Sequence, residues 1–224
     1  MTRPFLNTEN AMKRLIAVLA SFVFAGIVFA QSTPKAGTEY RLINPAQPVT
    51  GTKVEVLEFF NYACPHCYDF EPTIKGWLGG KPADVEFQYV PAVFNERMIP
   101  LAKLHYALEE TGLLPALHGK VYDAIHRQGR NLADRESIVK WVAEQPGVDA
   151  KKFEAAFDSF SVGNKVQRAV QLTRNFRVPG TPYVAVNGKF LTGPSMTLNP
   201  SGAFDARRFQ QVLDSLIDMA RRKA

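Results

Sequence analysis

The chain has two cysteines, and only two residues separate them in Cys64-Pro65-His66-Cys67. The apolar run Val54-Glu55-Val56-Leu57-Glu58-Phe59-Phe60 comes just before, so a strand should deliver Cys64 to the first turn of a helix. Unpaired backbone N–H groups and the helix dipole favour a thiolate at such a position. Other uses of the spacing fit less well. Zinc needs further ligands, yet no other cysteine exists, and His105, His118 and His126 show no paired-ligand spacing, so no metal site is expected. Haem attachment needs histidine directly after the second cysteine, where Tyr68 stands. An inert disulfide closing so short a loop would stabilise by about 2 kcal/mol or less. Redox chemistry is therefore the leading reading.

In that reading Cys64 and Cys67 form a redox-active disulfide. Cys64, at the helix start, is the nucleophile and leaving group, and Cys67, one turn in, resolves the mixed disulfide. Pro65 suits the first helical position. His66 either donates a hydrogen bond or positive charge to the Cys64 thiolate or is a solvated loop side chain. A second constellation is Arg177-Val178-Pro179-Gly180-Thr181-Pro182-Tyr183, where Pro182 opens a strand. A cis bond there would expose the Thr181 backbone to an extended polypeptide, whereas an ordinary strand-initiating proline is the commoner case. Glu58 is an acid inside an apolar strand. It either lies buried with a raised pKa, able to relay a proton to Cys67, or points to a sheet edge or solvent.

Positioning these residues requires a small α/β scaffold. Residues 31–50, with Pro34, Gly37, Asn44, Pro45 and Pro48, read as an extended lead-in. The run from Val54 to Phe60 is too apolar for a half-solvated strand and belongs in the middle of a sheet covered on both faces. A helix is predicted from Cys64 to about Leu78, kinked or interrupted at Pro72 and stopped by Gly79-Gly80; Val85 to Val90 then supplies a second strand. From 97 to 176 apolar residues recur at helical spacing, among them Leu101, Leu104 and Leu108 and later Phe153, Phe157 and Phe160. Gly112, Gly129, Pro146-Gly147 and Gly163 punctuate this block into roughly five helices. Tyr183 to Val186, the Asn187-Gly188 turn and Lys189-Phe190-Leu191 make a hairpin, and Phe209, Val212, Leu213, Leu216 and Ile217 mark a final amphipathic helix.

The N-terminus suggests where the dithiol works. Lys13-Arg14 precede an apolar stretch from Leu15 to Phe29, and Val28-Phe29-Ala30 resembles a cleavage site, so residues 1–30 are expected to be a signal peptide cut after Ala30. An uncleaved anchor is the alternative, although the stretch is short for a membrane span. Net charge is +6 for the whole chain; residues 1–30 carry Arg3, Lys13 and Arg14 against Glu9, leaving +4 for the remainder. That mild, scattered surplus gives no nucleic-acid surface. Arg221-Arg222-Lys223 is assigned to the C-terminal dipole of the last helix.

Taken together, the strand leading into Cys64-Pro65-His66-Cys67-Tyr68, the helical block, Thr181-Pro182 and Val186-Asn187-Gly188-Lys189 closely resemble the DsbA family of periplasmic thiol:disulfide oxidoreductases. The resemblance implies a thioredoxin fold with an inserted all-helical domain: 31–95 and 177–224 thioredoxin-like, 96–176 helical. It also implies Cys64 as the attacked cysteine, Cys67 as its partner, and Pro182 as a cis-proline beside the dithiol. The expected activity is introduction of disulfides into newly exported polypeptides in the periplasm by a monomer that needs no cofactor and is reoxidised by a quinone-linked membrane protein of the DsbB type. Relatives place a lysine near the strand acid where this chain has Gln88, and many carry valine where Thr181 stands. Tyr183, Lys189, Phe60, Tyr62 and Tyr68 are candidate linings of an apolar peptide groove, with core packing an equal account of Phe60. The alternatives are a reductase or isomerase of the same fold, or a peptide-binding module with an inert disulfide.

Overall fold

The computed structural model describes residues 33–222. The expected signal peptide, its cleavage point after Ala30, and Lys223 lie outside the described residues.

Five strands form one mixed sheet among the described residues, in the order β1 (Arg41–Leu42), β5 (Phe190–Thr192), β4 (Tyr183–Val186), β2 (Val54–Phe60), β3 (Val85–Pro91). β2 pairs in parallel with β3, Glu58 opposite Tyr89, and antiparallel with β4, Glu58 opposite Val184. Its central place in a sheet covered on both faces explains the continuous apolar run: Val56, Leu57, Glu58, Phe59 and Phe60 are all buried. The β4–β5 turn is built by Asn187 and Gly188, both with positive φ, as a two-residue hairpin of matching twist requires.

Helices cover both faces. α1 (Pro65–Leu78) and α7 (Ala206–Arg221) pack Phe70, Ile74, Phe209 and Leu213 against Val54, Val56, Val184 and Val186. The opposite face, with Leu57, Phe59, Ala185 and Leu191, meets the helical block inserted between β3 and β4. That block contains five α-helices: α2 (Ile99–Glu110), α3 (Leu114–His126), α4 (Arg135–Ala143), α5 (Ala150–Phe157) and α6 (Phe160–Asn175). Asp134, Asp149 and Ser159 cap the last three by accepting from backbone N–H groups in the first turn. The final helix buries the whole apolar stripe read from the sequence.

Several local expectations are corrected. α1 is not interrupted at Pro72, which is exposed. Gly163 lies inside α6 rather than between helices, and Phe160 is 84% exposed at that helix's first position, outside the Phe153–Phe157 core face. The lead-in is more structured than its composition suggests. It contributes β1, a cis Asn44–Pro45 bond, and a Gln47 N–H bond to the Gly188 carbonyl at 2.8 Å.

Candidate active site

β2 ends at Phe60, and the chain turns through Asn61, Tyr62 and Ala63 into α1 with Cys64 as its N-cap residue, in extended conformation, and Pro65 next. The Asn61 side chain braces this turn by accepting from the Ala63 N–H at 2.8 Å. Both cysteines are free thiols; Cys64 is half-buried and Cys67 is 0% exposed. The Thr181–Pro182 peptide is cis, and the Thr181 carbonyl lies 3.4 Å from Cys64 Sγ.

The two sulfurs are displaced in opposite directions. The Cys64 thiol is lowered from 9.0 to about 5, chiefly by a hydrogen bond from the Cys67 side chain; burial opposes this, while Thr181 and the backbone N–H groups of Cys67 and His66 assist. Cys67 is pushed far up, first by burial and then by its hydrogen bond to Cys64, although the Asn61 N–H lies 3.5 Å from its sulfur. A thiolate at the helix entrance thus sits beside a thiol held protonated in the interior.

His66 is exposed, and its ring makes no hydrogen bond among the described residues; only its backbone acts on the Cys64 sulfur. The side chain instead lines a groove of about 520 Å³, together with Phe70, Pro182, Tyr183, Leu198 and Phe204. Of the other aromatic candidates, Phe60 and Tyr62 are core residues, and Tyr68 bonds Asp123 at 2.9 Å and stacks on His126. Lys189 does not line the groove.

Glu58 points neither to an edge nor to solvent: it is 1% exposed, with Oε2 unpartnered among the described residues. Burial raises its pKa well above 4.5, and the charge of Glu71 adds to the effect. Gln88 lies opposite Leu57 and is exposed; Tyr89 is the β3 residue beside the acid. Sequence reading passed over Glu71, although its place four residues after Cys67 puts both on one helix face. It also passed over the site around Tyr62, where the hydroxyl meets His118 Nδ1 at 2.7 Å.

The comparisons with known proteins agree with this geometry. The family model described as DSBA-like thioredoxin domain matches residues 90–198. The thiol:disulfide interchange protein DsbA of Bordetella parapertussis is 42% identical over 217 residues, covering 96% of this chain and 99% of that protein. The Burkholderia cepacia protein of the same name is 36% identical, covering 95% and 99%. Among solved structures, Pseudomonas aeruginosa DsbA superposes with a TM-score of 0.78 at 33% identity, covering 85% of this chain and 96% of that one. The chain belongs to the DsbA family of thiol:disulfide interchange proteins, with a thioredoxin fold that carries a helical insertion.

Proposed function

We propose that Cys64 and Cys67 are the redox couple with which this thiol:disulfide oxidoreductase introduces disulfides into exported polypeptides. In the oxidised enzyme a substrate thiolate attacks Cys64 Sγ, the Cys64–Cys67 bond breaks, and Cys67 leaves and takes up a proton. A second substrate thiolate then attacks the substrate sulfur of the mixed disulfide and expels Cys64 as a thiolate. Two electrons pass from substrate to enzyme, and the substrate gains one disulfide.

The observation that carries this reading is the opposite displacement of the two thiols, with Cys64 lowered to about 5 beside a Cys67 pushed upward. A stabilised Cys64 thiolate favours the reduced enzyme, which makes its disulfide an oxidant. The Thr181 carbonyl at 3.4 Å from Cys64 Sγ marks where an extended substrate backbone would run, and the apolar groove beside His66 would take its side chains. Domain limits of 31–95 with 177–224, and 96–176, would assign both cysteines to the thioredoxin-like part.

The family supplies the setting: reduced exported proteins as substrates, a membrane reoxidant, and the periplasm as compartment. A quinone-linked reoxidant of the DsbB type and a monomeric enzyme are the finer proposals. No helix among the described residues is long and apolar enough to cross a membrane. Equilibration with glutathione buffers tests the direction of electron flow. A reduction potential near −120 mV, the level of the family's prototype, supports an oxidase; one near −270 mV, the level of thioredoxin, makes the protein a reductant.

A further inference from the structure

A second groove opens at the edge of the sheet that carries the dithiol. β2 and β3 run in parallel and end there together, the Ala92 N–H donating to the Phe60 carbonyl at 2.8 Å, and β4 begins there, after the last turn of α6. Between the chain that leaves β3 and that last turn lies a cavity of about 450 Å³. Val93, Phe94, Ile99 and Val170 supply its apolar lining, and Phe94 is 45% exposed. Its charged lining is Arg174 and Arg177 from the end of α6 and Glu96 from the turn after β3.

The arginines of this groove differ from others in the fold. Among the described residues Arg127, Arg130, Arg135, Arg208 and Arg221 each have a carboxylate within ion-pair distance, whereas Arg174 and Arg177 have none, Glu96 included. A third guanidinium, that of Arg41 on β1, donates to the Arg177 carbonyl and adds positive charge at the same corner. The backbone at Arg177 is also unusual. α6 ends with the Val178 N–H on the Thr173 carbonyl at 3.1 Å and the Arg177 N–H on the Arg174 carbonyl at 2.9 Å, a paired capping motif whose left-handed residue is usually glycine. Here that residue is Arg177, with φ +49°, so a long cationic side chain is kept where the backbone favours none.

The two grooves are joined along the chain: Arg177 and Val178 line this one, and Pro179, Gly180, Thr181 and Pro182 line the one beside His66. We propose that the second groove is an exosite for reduced substrate, in which Arg174 and Arg177 hold carboxylates, and Phe94 an apolar side chain, of a segment flanking the cysteine under attack. The inference rests on the reading of Cys64 and Cys67 as the redox couple and of the Thr181 carbonyl as the mark of the substrate's path. Thr181 follows Arg177 by four positions. Extended backbone covers at most about 14 Å over that length, so the acids belong roughly four to six residues from the substrate cysteine. Arginine suits the task, since its guanidinium grips a carboxylate through paired N–H donors while its stem covers apolar surface. Exposed pairs of this kind add little affinity singly, but they favour one partner over another and speed encounter.

The experiment follows oxidation of two reduced peptides by the oxidised full chain, acid-quenched and resolved by mass spectrometry. Each peptide has two central cysteines; one carries a phenylalanine and a pair of glutamates about four positions out on either side, and the other has glutamines in place of the glutamates. Peptide dithiol and enzyme disulfide become peptide disulfide and enzyme dithiol. Each rate is divided by the same peptide's rate with glutathione disulfide, which removes differences in thiol reactivity. Wild type should favour the glutamate peptide by about fivefold at low ionic strength, and by much less at about 0.5 M salt. Arg174→Gln combined with Arg177→Gly should bring the preference below about twofold; the glycine suits the left-handed turn, and circular dichroism melting checks the fold. Glu96→Gln, which removes the opposing charge, should raise the preference by about twofold. Lys151→Gln with Lys152→Gln, which takes the same charge from α5, should leave it in place. No preference in wild type, an unchanged preference in the groove variant, or an equal fall in the α5 variant overturns the proposal. Binding of wild type but not of the groove variant to phosphatidylglycerol vesicles, with no peptide preference, assigns the groove to a membrane surface and overturns it as well. A wild-type chain that oxidises neither peptide overturns the redox reading itself, and this inference with it.

Discussion

Cys64 Sγ lies 3.4 Å from the main-chain oxygen of Thr181, a residue 117 positions later in the chain. Pairing of β2 with β4 brings the two together: Phe59 is opposite Tyr183, so the end of β2 and the start of β4 open at the same edge of the sheet. One edge therefore presents both the nucleophile and a main-chain acceptor for a substrate strand. The helix start tunes the sulfur, and the strand start positions what the sulfur attacks.

The ranking of influences on Cys64 can be measured. Its low pKa owes most to the Cys67 side chain and less to Thr181. Iodoacetamide alkylation against pH should give a wild-type midpoint near 5. Cys67→Ala should move it upward substantially. Thr181→Val, which removes the hydroxyl but keeps the carbonyl, should move it upward by less. A Thr181→Val shift as large as that of Cys67→Ala would contradict the assignment.

The same displacement makes the stability of the reduced protein depend on pH. Cys64 is depressed from 9.0 to about 5 in the folded dithiol, so folding favours the thiolate. Its contribution is full above the unfolded value, near 9, and is lost as pH falls through about 5. Melting of reduced wild type and reduced Cys64→Ser should therefore converge at pH 4 and separate toward pH 8, to roughly the extent that linkage predicts for a partly solvated group. Parallel melting curves across that range would show that the thiolate adds no stability.

Much of this arrangement was legible because it is local. The apolar run of β2, the Cys64-Pro65 start of α1 and the Asn187-Gly188 turn each follow from neighbouring residues, and all three are observed. The five helices were countable from periodicity, while the error at Gly163 arose because a glycine inside a well-packed helix looks like a break. Glu58 was ambiguous because the direction of a strand side chain depends on what covers each face. The contacts of His118 with Tyr62 and Glu71 were invisible for a stronger reason: the three residues come from a loop and two helices, and only tertiary packing brings them within reach.

Gly188 has a double requirement. Its φ is +63°, and a Cβ there would stand 2.1 Å from the Gln47 carbonyl oxygen. Gly188→Ala must displace the lead-in as well as strain the turn, so urea denaturation should show a loss of about 2 kcal/mol or more. Gly202, also at positive φ but with nothing near its Cβ, supplies the control. Gly202→Ala should cost only the backbone strain, about 1 kcal/mol. Equal losses would remove the close approach of Gln47 as the cause.

Glu58 poses the sharpest conflict between stability and chemistry. A carboxyl 1% exposed, with one oxygen unpartnered, is costly in the middle of a sheet, and the cost grows once it ionises. Its folded pKa is raised, so its destabilising effect is absent below the unfolded value of about 4.5 and develops as pH rises toward the folded one. Glu58→Gln should therefore match wild type in urea denaturation near pH 4 and exceed it at pH 8, by about 1–3 kcal/mol. A constant difference between the two across that range would mean that Glu58 is not held protonated by burial. If the stability gain appears and disulfide exchange slows in the same variant, the acid is retained for its proton and not for the fold. If stability rises and exchange is unaffected, the proton for Cys67 comes from another group.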